Sequence, residues 1–148
     1  MTAQTQTEVH VRQAVPFFSV ADIEASIRYY VDGLGFTMTN KWVDEGKLRW
    51  CWLQHGGAAV MLQQFRNDTH GSSAPAGKVG EGVSICFTCD DALAIYREVT
   101  GRGIRVSKKP FVGNGMWVTS LVDPDGYQLY FESRTDAPEE TKLPEPDG

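Results

Sequence analysis

Long apolar runs are missing from this sequence. No stretch approaches the roughly 20 consecutive apolar residues that a membrane-spanning helix requires. The opening MTAQTQTEVH has no apolar segment of the signal-peptide kind, so the expectation is a cytoplasmic protein with no membrane partner. Cysteine is scarce: three residues do not make a disulfide framework. Two of them, Cys86 and Cys89, form a C-x-x-C within SICFTCDD. A redox pair wants its first cysteine at a helix N-terminus, and zinc wants a second pair of ligands. Here the surrounding VSICFTC reads as a strand, on which side chains three apart point to opposite faces, so both thiols are expected to be small buried hydrophobes. Basic clusters are also lacking. With 14 Lys and Arg against 19 Asp and Glu, the net charge is −5, and no basic stripe exists for nucleic acid.

What is present is an ordinary globular composition, 41% hydrophobic and 22% charged, in a chain long enough to bury a core without staples. Much of the acidity sits at the end, where residues 134–148 hold five acids and two bases. Residues 1–10 and this acidic, proline-containing tail are expected to be mobile or loosely attached.

Between the ends a pattern occurs twice. AVPFFSV reads as a strand, Asp22 as a helix N-cap, and Ile23, Ile27, Tyr30, Val31 and Leu34 as one helical face stopped by Gly33 and Gly35. Three β-rich runs follow: FTMTNKWV, LRWCWLQ and AAVMLQQF. Glu45-Gly46-Lys47 and Gly56-Gly57 are the expected turns between them. After the loop RNDTHGSSAPAGKVGEG, VSICFTC is a strand, Asp90 or Asp91 caps, and Leu93, Tyr96 and Val99 mark a second helix. RVSKKPFV, MWVTSLV and YQLYFES complete the second unit. Placing Asp22 on Asp91 sets Phe18 on Phe87, Val20 on Cys89 and Arg28 on Arg97, an offset of 69 residues. The fold class expected is α+β, with two βαβββ modules. The division reads as a leader (1–10), a first module (11–66), a linker loop (67–82), a second module (83–133) and a tail (134–148). Asp123-Pro124-Asp125-Gly126 suits a type I turn between the last two strands. It sets Tyr130 and Glu132 on one face and Leu129 and Phe131 on the other.

Taken in order, FFSVADIEASIRYYVDGLGF, AAVMLQQ, FTCDDALAIYREVTGRG and GMWVTSLVDPDGYQLYFE resemble the vicinal oxygen chelate superfamily, which includes glyoxalase I, bleomycin-resistance proteins, extradiol dioxygenases and methylmalonyl-CoA epimerase. The resemblance covers about residues 11–133 and implies curled mixed sheets around a cleft, commonly completed in a homodimer. Metal-using members place His or Glu on the first and fourth strands of each unit. Matched by motif, those positions are Val15, Leu62, Ser84 and Tyr130, and their neighbours on the flanking face are Phe17, Gln64, Cys86 and Glu132. Only Glu132 is a strong metal ligand by type, while His10, His55 and His70 fall elsewhere. The resemblance therefore implies a member of the bleomycin-resistance kind, with no metal and no cofactor.

Four tryptophans, Trp42, Trp50, Trp52 and Trp117, all fall in expected strands. Alternation sets Trp50 and Trp52 on one face, and Trp117 on a face with Thr119 and Leu121. Packing in a core or dimer interface accounts for any single one of them. A pair on one face of a ligand-binding fold points to an aromatic-lined pocket. The expected ligand-binding set is Val15, Phe17, Trp50, Trp52, Leu62, Gln64, Ser84, Trp117, Tyr130 and Glu132. Glu132 is either a solvent-facing carboxylate at a strand end or a polar anchor for a ligand. The expected function is sequestration of an aromatic or amphipathic small molecule. The alternative is a glyoxalase-like lyase or isomerase, or a dioxygenase, for which Glu132 and Tyr130 are the one candidate acid–base pair.

Overall fold

The computed structural model describes residues 10–65 and 79–143. Residues 1–9 of the leader, most of the linker loop with His70, and residues 144–148 lie outside the described residues. The first unit runs β1 (Phe17–Val20), α1 (Ile23–Ile27) with a π-helical continuation Arg28–Gly33, β2 (Thr37–Asp44), β3 (Lys47–His55) and β4 (Ala58–Gln64). The second runs β5 (Ser84–Thr88), α2 (Ala92–Gly101), β6 (Lys108–Gly113), β7 (Met116–Val122) and β8 (Gln128–Arg134). Each unit makes one four-stranded mixed sheet, ordered β1-β4-β3-β2 and β5-β8-β7-β6. The first strand of each lies parallel to the last, and the other pairs are antiparallel. No helix among the described residues is long and apolar enough to cross a membrane.

The duplication extends to individual hydrogen bonds. Asp22 and Asp91 are both extended N-caps, and each Oδ1 accepts from the backbone N–H two and three residues on. The first helical N–H of α1, on Ile23, donates to Gln64 Oε1 at 3.1 Å, and that of α2, on Ala92, donates to Ser133 Oγ at 2.7 Å. Each of these pairs of counterparts is separated by the same 69 positions. The hairpins β2–β3 and β6–β7 repeat as well. Glu45 (φ 53) with Gly46 (φ 74) and Asn114 (φ 53) with Gly115 (φ 74) are both two-residue turns with two positive φ values, the form that matches strand twist.

The helix-facing sides of both sheets pack into one core. Phe18 stacks on Tyr127 at 4.0 Å, Tyr30 meets Phe36 edge-on, Phe36 meets Phe87, and Phe87 stacks on Phe131 at 4.9 Å. This line of rings passes from one unit into the other. The π turn, closed by Leu34 N–H to Tyr29 C=O at 3.0 Å, departs from the regular helix expected there and delivers Tyr30 fully buried.

Tyr30 ends at the Asp-Pro-Asp-Gly turn, which does more than join β7 to β8. Gly126 N–H donates to Asp123 C=O at 3.0 Å, closing the turn. Asp123 Oδ1 accepts from the N–H groups of Asp125 and Tyr127, and Asp123 Oδ2 accepts from Tyr30 Oη at 2.7 Å. Asp125 reaches back in the same way: Oδ1 accepts from Ala21 N–H at 2.9 Å and Oδ2 from Ser26 Oγ at 3.3 Å. Tyr127 Oη donates to Ser19 C=O. Gly80 closes the other side, its N–H on Asp125 C=O. A Cβ there would lie 2.1 Å from Tyr127 N, so only glycine fits.

The tail is not loose where it is described. Val112 N–H donates to Thr141 C=O, Glu140 N–H to Val112 C=O and Leu143 N–H to Pro110 C=O, with a bridge between Phe111 and Lys142. The segment therefore covers the outer edge of β6, where unpaired backbone groups would otherwise be left for another chain.

Two outcomes follow from the buried turn. Tyr30→Phe removes one donor from a buried carboxylate, so urea unfolding should show a loss of about 1.5–3 kcal/mol. Burial pushes the Asp123 carboxyl above its ordinary 3.8, against the hydrogen bonds from Tyr30, Tyr127 and Asp125 that favour its charged form. Because the folded value is raised, its contribution to stability is complete below pH 3.8 and declines as pH rises through the elevated value. Asp123→Asn can still accept from both backbone N–H groups while its amide donates to Tyr30 Oη. It should therefore flatten that part of the pH–stability curve, and an unchanged slope would assign the slope to other groups.

Candidate functional site

In each sheet one face packs under a helix, and among the described residues the other carries no helix or strand of its own unit. Register decides which residues stand on the open face. In the first sheet Phe17 pairs with Met61, Trp52 with Met61, Trp50 with Gln63, and Trp42 with Trp50. Directly paired residues share a face, so Phe17, Ser19, Asn40, Trp42, Trp50, Trp52, Met61 and Gln63 form one surface. Aromatic side chains dominate it, and it is open: Phe17 is 53% and Trp42 48% exposed. The Trp52 indole N–H is held by Gln54 Oε1 at 2.8 Å, and Gln54 is held in turn by Gly56 C=O.

The second open face is polar. Ser84 pairs with Gln128, Cys86 with Tyr130, and Thr88 with Glu132. On the other side of β8, Ser120 pairs with Tyr130 and Val118 with Glu132. Gln128 Oε1 accepts from Tyr130 Oη at 2.6 Å and from Ser84 Oγ at 3.4 Å. Glu132 is hydrogen-bonded to the Cys86 thiol. Partial desolvation, with that hydrogen bond and the carboxylate's charge, pushes Cys86 up to about 11. At neutral pH it is therefore a thiol rather than a nucleophilic thiolate.

Several expected site residues are placed otherwise. Leu62 is fully buried in the core and pairs with Phe18 and Cys51 on the helix side. Gln64 shares that side, capping α1 through Ile23 N–H. The uninterrupted apolar run AAVML hid the alternation, and the register against Phe17 puts Met61 and Gln63 on the open face instead. Trp117 pairs with Ser133, on the helix side with Thr119 and Leu121. Thr119 Oγ1 binds Ala92 C=O there, so Trp117 does not approach Tyr130. The cause is an odd difference in turn length, which reverses the faces as a slip of one does. The β3–β4 turn has two residues between His55 and Ala58, whereas β7 and β8 are joined by five residues between Val122 and Gln128. A slip of one exchanges the two faces of a strand. Val15 precedes β1 and is half-buried. Cys86 is exposed rather than buried, and Cys89 is half-buried against Glu132 C=O. Phe17, Trp50 and Trp52 do stand together on the first open face, and Ser84, Tyr130 and Glu132 on the second. None of the hydrogen bonds or ring contacts among the described residues joins these two sets.

The first and fourth strands of each unit thus present Phe17, Met61, Cys86 and Tyr130 at their paired open-face positions. Two are hydrocarbon or thioether, one is a thiol and one a phenol, a poor donor set for a hard divalent cation. Among the described residues no three His, Cys, Asp or Glu side chains are grouped so as to hold a metal ion.

The sequence matches the family model described as Glyoxalase/Bleomycin resistance protein/Dioxygenase superfamily over residues 9–131. Among similar solved structures is a glyoxalase/bleomycin resistance protein/dioxygenase from Nocardioides, 17% identical, covering 92% of this chain and 93% of that one with a TM-score of 0.65. A bleomycin resistance determinant encoded on the transposon Tn5 is 23% identical, covering 86% and 100%, with a TM-score of 0.63. A bleomycin-binding protein in complex with bleomycin is also 23% identical, covering 84% and 99%, with a TM-score of 0.62. At these identities the likeness is one of fold. No curated protein matches the sequence. The family model spans both βαβββ units, and the chain belongs to the Glyoxalase/Bleomycin resistance protein/Dioxygenase superfamily.

Proposed function

We propose that this protein binds and sequesters an aromatic or amphipathic small molecule, as a cytoplasmic homodimer, using neither metal nor cofactor. The observation that carries the reading is the open face of the first sheet, where Phe17, Trp42, Trp50, Trp52 and Met61 share one surface that no other described element covers. A planar ligand laid on it would gain roughly 0.5–1.5 kcal/mol per ring contact beyond the area it buries. The bleomycin-binding protein of similar fold supports small-molecule capture as the kind of task. Ser84, Tyr130 and Glu132 supply the polar half of the site. The catalytic alternative draws little support from this face: the Cys86 thiol beside Glu132 is held protonated, and the donor set at the paired positions suits no metal-stabilised enediolate.

A second copy of the chain is the natural cover for these faces. Phe17, Trp42 and Val122 leave large apolar area exposed on the single chain, and an isologous pair would bury it twice over. Light scattering at micromolar concentration should give a dimer, and a monodisperse monomer would overturn this part of the proposal.

Binding should appear as saturable quenching of tryptophan fluorescence by planar aromatic compounds, unchanged after chelator treatment. Trp52→Phe should reduce the quench, whereas Trp117→Phe, on the helix side, should retain it. Tyr130→Ala should weaken binding with little change in melting, while Leu129→Ala, fully buried, should cost about 2–5 kcal/mol of stability. Normal binding by Tyr130→Ala together with early melting would make Tyr130 a core residue and remove this strand from the pocket.

A further inference from the structure

The polar face of the second sheet carries a row that the ligand reading leaves unused. Lys108 pairs with Ser120 across β6 and β7, and Ser120 pairs with Tyr130 across β7 and β8. The three side chains therefore stand side by side on the open face. With Ser107, Gln128 and Val122 they line a cavity of 240 Å³. Ser120 is only 2% exposed, and its Oγ has no hydrogen-bond partner among the described residues. A buried hydroxyl without a partner costs stability and here belongs to a residue that lines the cavity. Gln128 Oε1 is already engaged by Tyr130 and Ser84, which leaves its Nε2 as a donor. The Lys108 ammonium lies 4.4 Å from the centroid of the Phe111 ring, a position that restrains a side chain otherwise free to swing into solvent. The pairing register shifts between Lys108 and Phe111, a local irregularity in the ladder beside the cavity.

We propose that Lys108, Ser120 and Gln128 form a subsite for a carboxylate on the bound ligand, with the Tyr130 ring as its wall. An ammonium, a hydroxyl and an amide N–H₂ are all donors, and one negative charge with two oxygens answers them. A doubly charged group fits less well, because Glu132 stands on the same face two residues beyond Tyr130, roughly 7 Å along the strand. The preferred ligand is then an aromatic monocarboxylate. This assignment rests on the proposal that the open faces bind an aromatic compound, and its test separates the two.

The test is calorimetric titration of the full-length protein with 2-naphthoate and with 2-naphthamide, which share ring and shape and differ in charge. Wild type should bind the carboxylate roughly ten-fold more tightly than the amide. Lys108→Met keeps the aliphatic stem and should bring the carboxylate's affinity down to that of the amide. Ser120→Ala should narrow the preference by roughly two- to five-fold while the melting temperature holds or rises, because the change removes an unpartnered buried hydroxyl. Equal affinities in wild type, or a preference that survives Lys108→Met, would overturn the subsite and leave the aromatic pocket standing. An unchanged preference in Ser120→Ala would remove Ser120 from it. If neither compound binds, the aromatic pocket fails and the subsite fails with it.

Discussion

The contact on which the two units depend is the hydrogen bond from Tyr30 to the buried carboxylate of Asp123. It joins the helical layer of the first unit to the turn of the second at 2.7 Å. Neither group has an inexpensive alternative partner once the core has closed around it. Burial and the neighbouring Asp123 charge push the Tyr30 hydroxyl well above its ordinary range, which keeps it a donor. The carboxylate is held by two backbone N–H groups of its own turn. The turn therefore cannot change shape without abandoning Tyr30, and α1 cannot shift without stranding Asp123. Asp125 repeats the arrangement one step outward, through Ala21 and Ser26. A hairpin turn, ordinarily a surface element that tolerates change, has become the joint between modules.

That joint also fixes the open faces. Once Asp123 and Tyr127 are set, β8 begins at Gln128 in a single register, with Leu129 and Phe131 in the core and Tyr130 and Glu132 turned away from it. The rings of Phe18 and Tyr127, stacked across the same boundary, add apolar area to a connection that would otherwise be polar and local. The geometry of this face is a consequence of inter-unit packing, because the strand bearing Tyr130 is aimed by the contacts of Asp123 and Tyr127 with the first unit.

Much of this was legible in the sequence. Asp22 and Asp91 announced the helices, and the D-P-D-G turn announced its own fold. The offset of 69 held down to the paired roles of Gln64 and Ser133, counterparts with no resemblance in residue type. The faces of β4 and β7 were not legible, for a physical reason. AAVML and MWVTSLV are apolar on both sides, so alternation carries no signal in them, and only pairing with a neighbouring strand decides. The inward Gln64 was equally hidden. An amide near the end of a strand looks like a solvated edge residue until the helix N-terminus that it caps is placed over it. The docking of the turn on Tyr30 left no trace at all, because a contact between residues 93 positions apart cannot be read from either segment alone.

The divergence of the two units follows from the same difference in turn length that misplaced Trp117. Had the second unit kept a two-residue turn between its last strands, Trp117, Thr119 and Leu121 would stand where Leu48, Trp50 and Trp52 stand in the first. β7 would then add an apolar strip beside the polar residues of β5 and β8. The longer turn gave the second unit its grip on α1, and the register it imposes exchanged the faces of β7. It turned Val118 and Ser120 outward and sent Thr119 inward to bind Ala92 C=O. One duplicated fold thus came to carry an aromatic surface on one sheet and a hydrogen-bonding surface on the other. β5 and β8 supply most of the polar groups of the second face, Ser84, Gln128, Tyr130 and Glu132 among them, and the turn that joins the units adds Ser120 to them through β7.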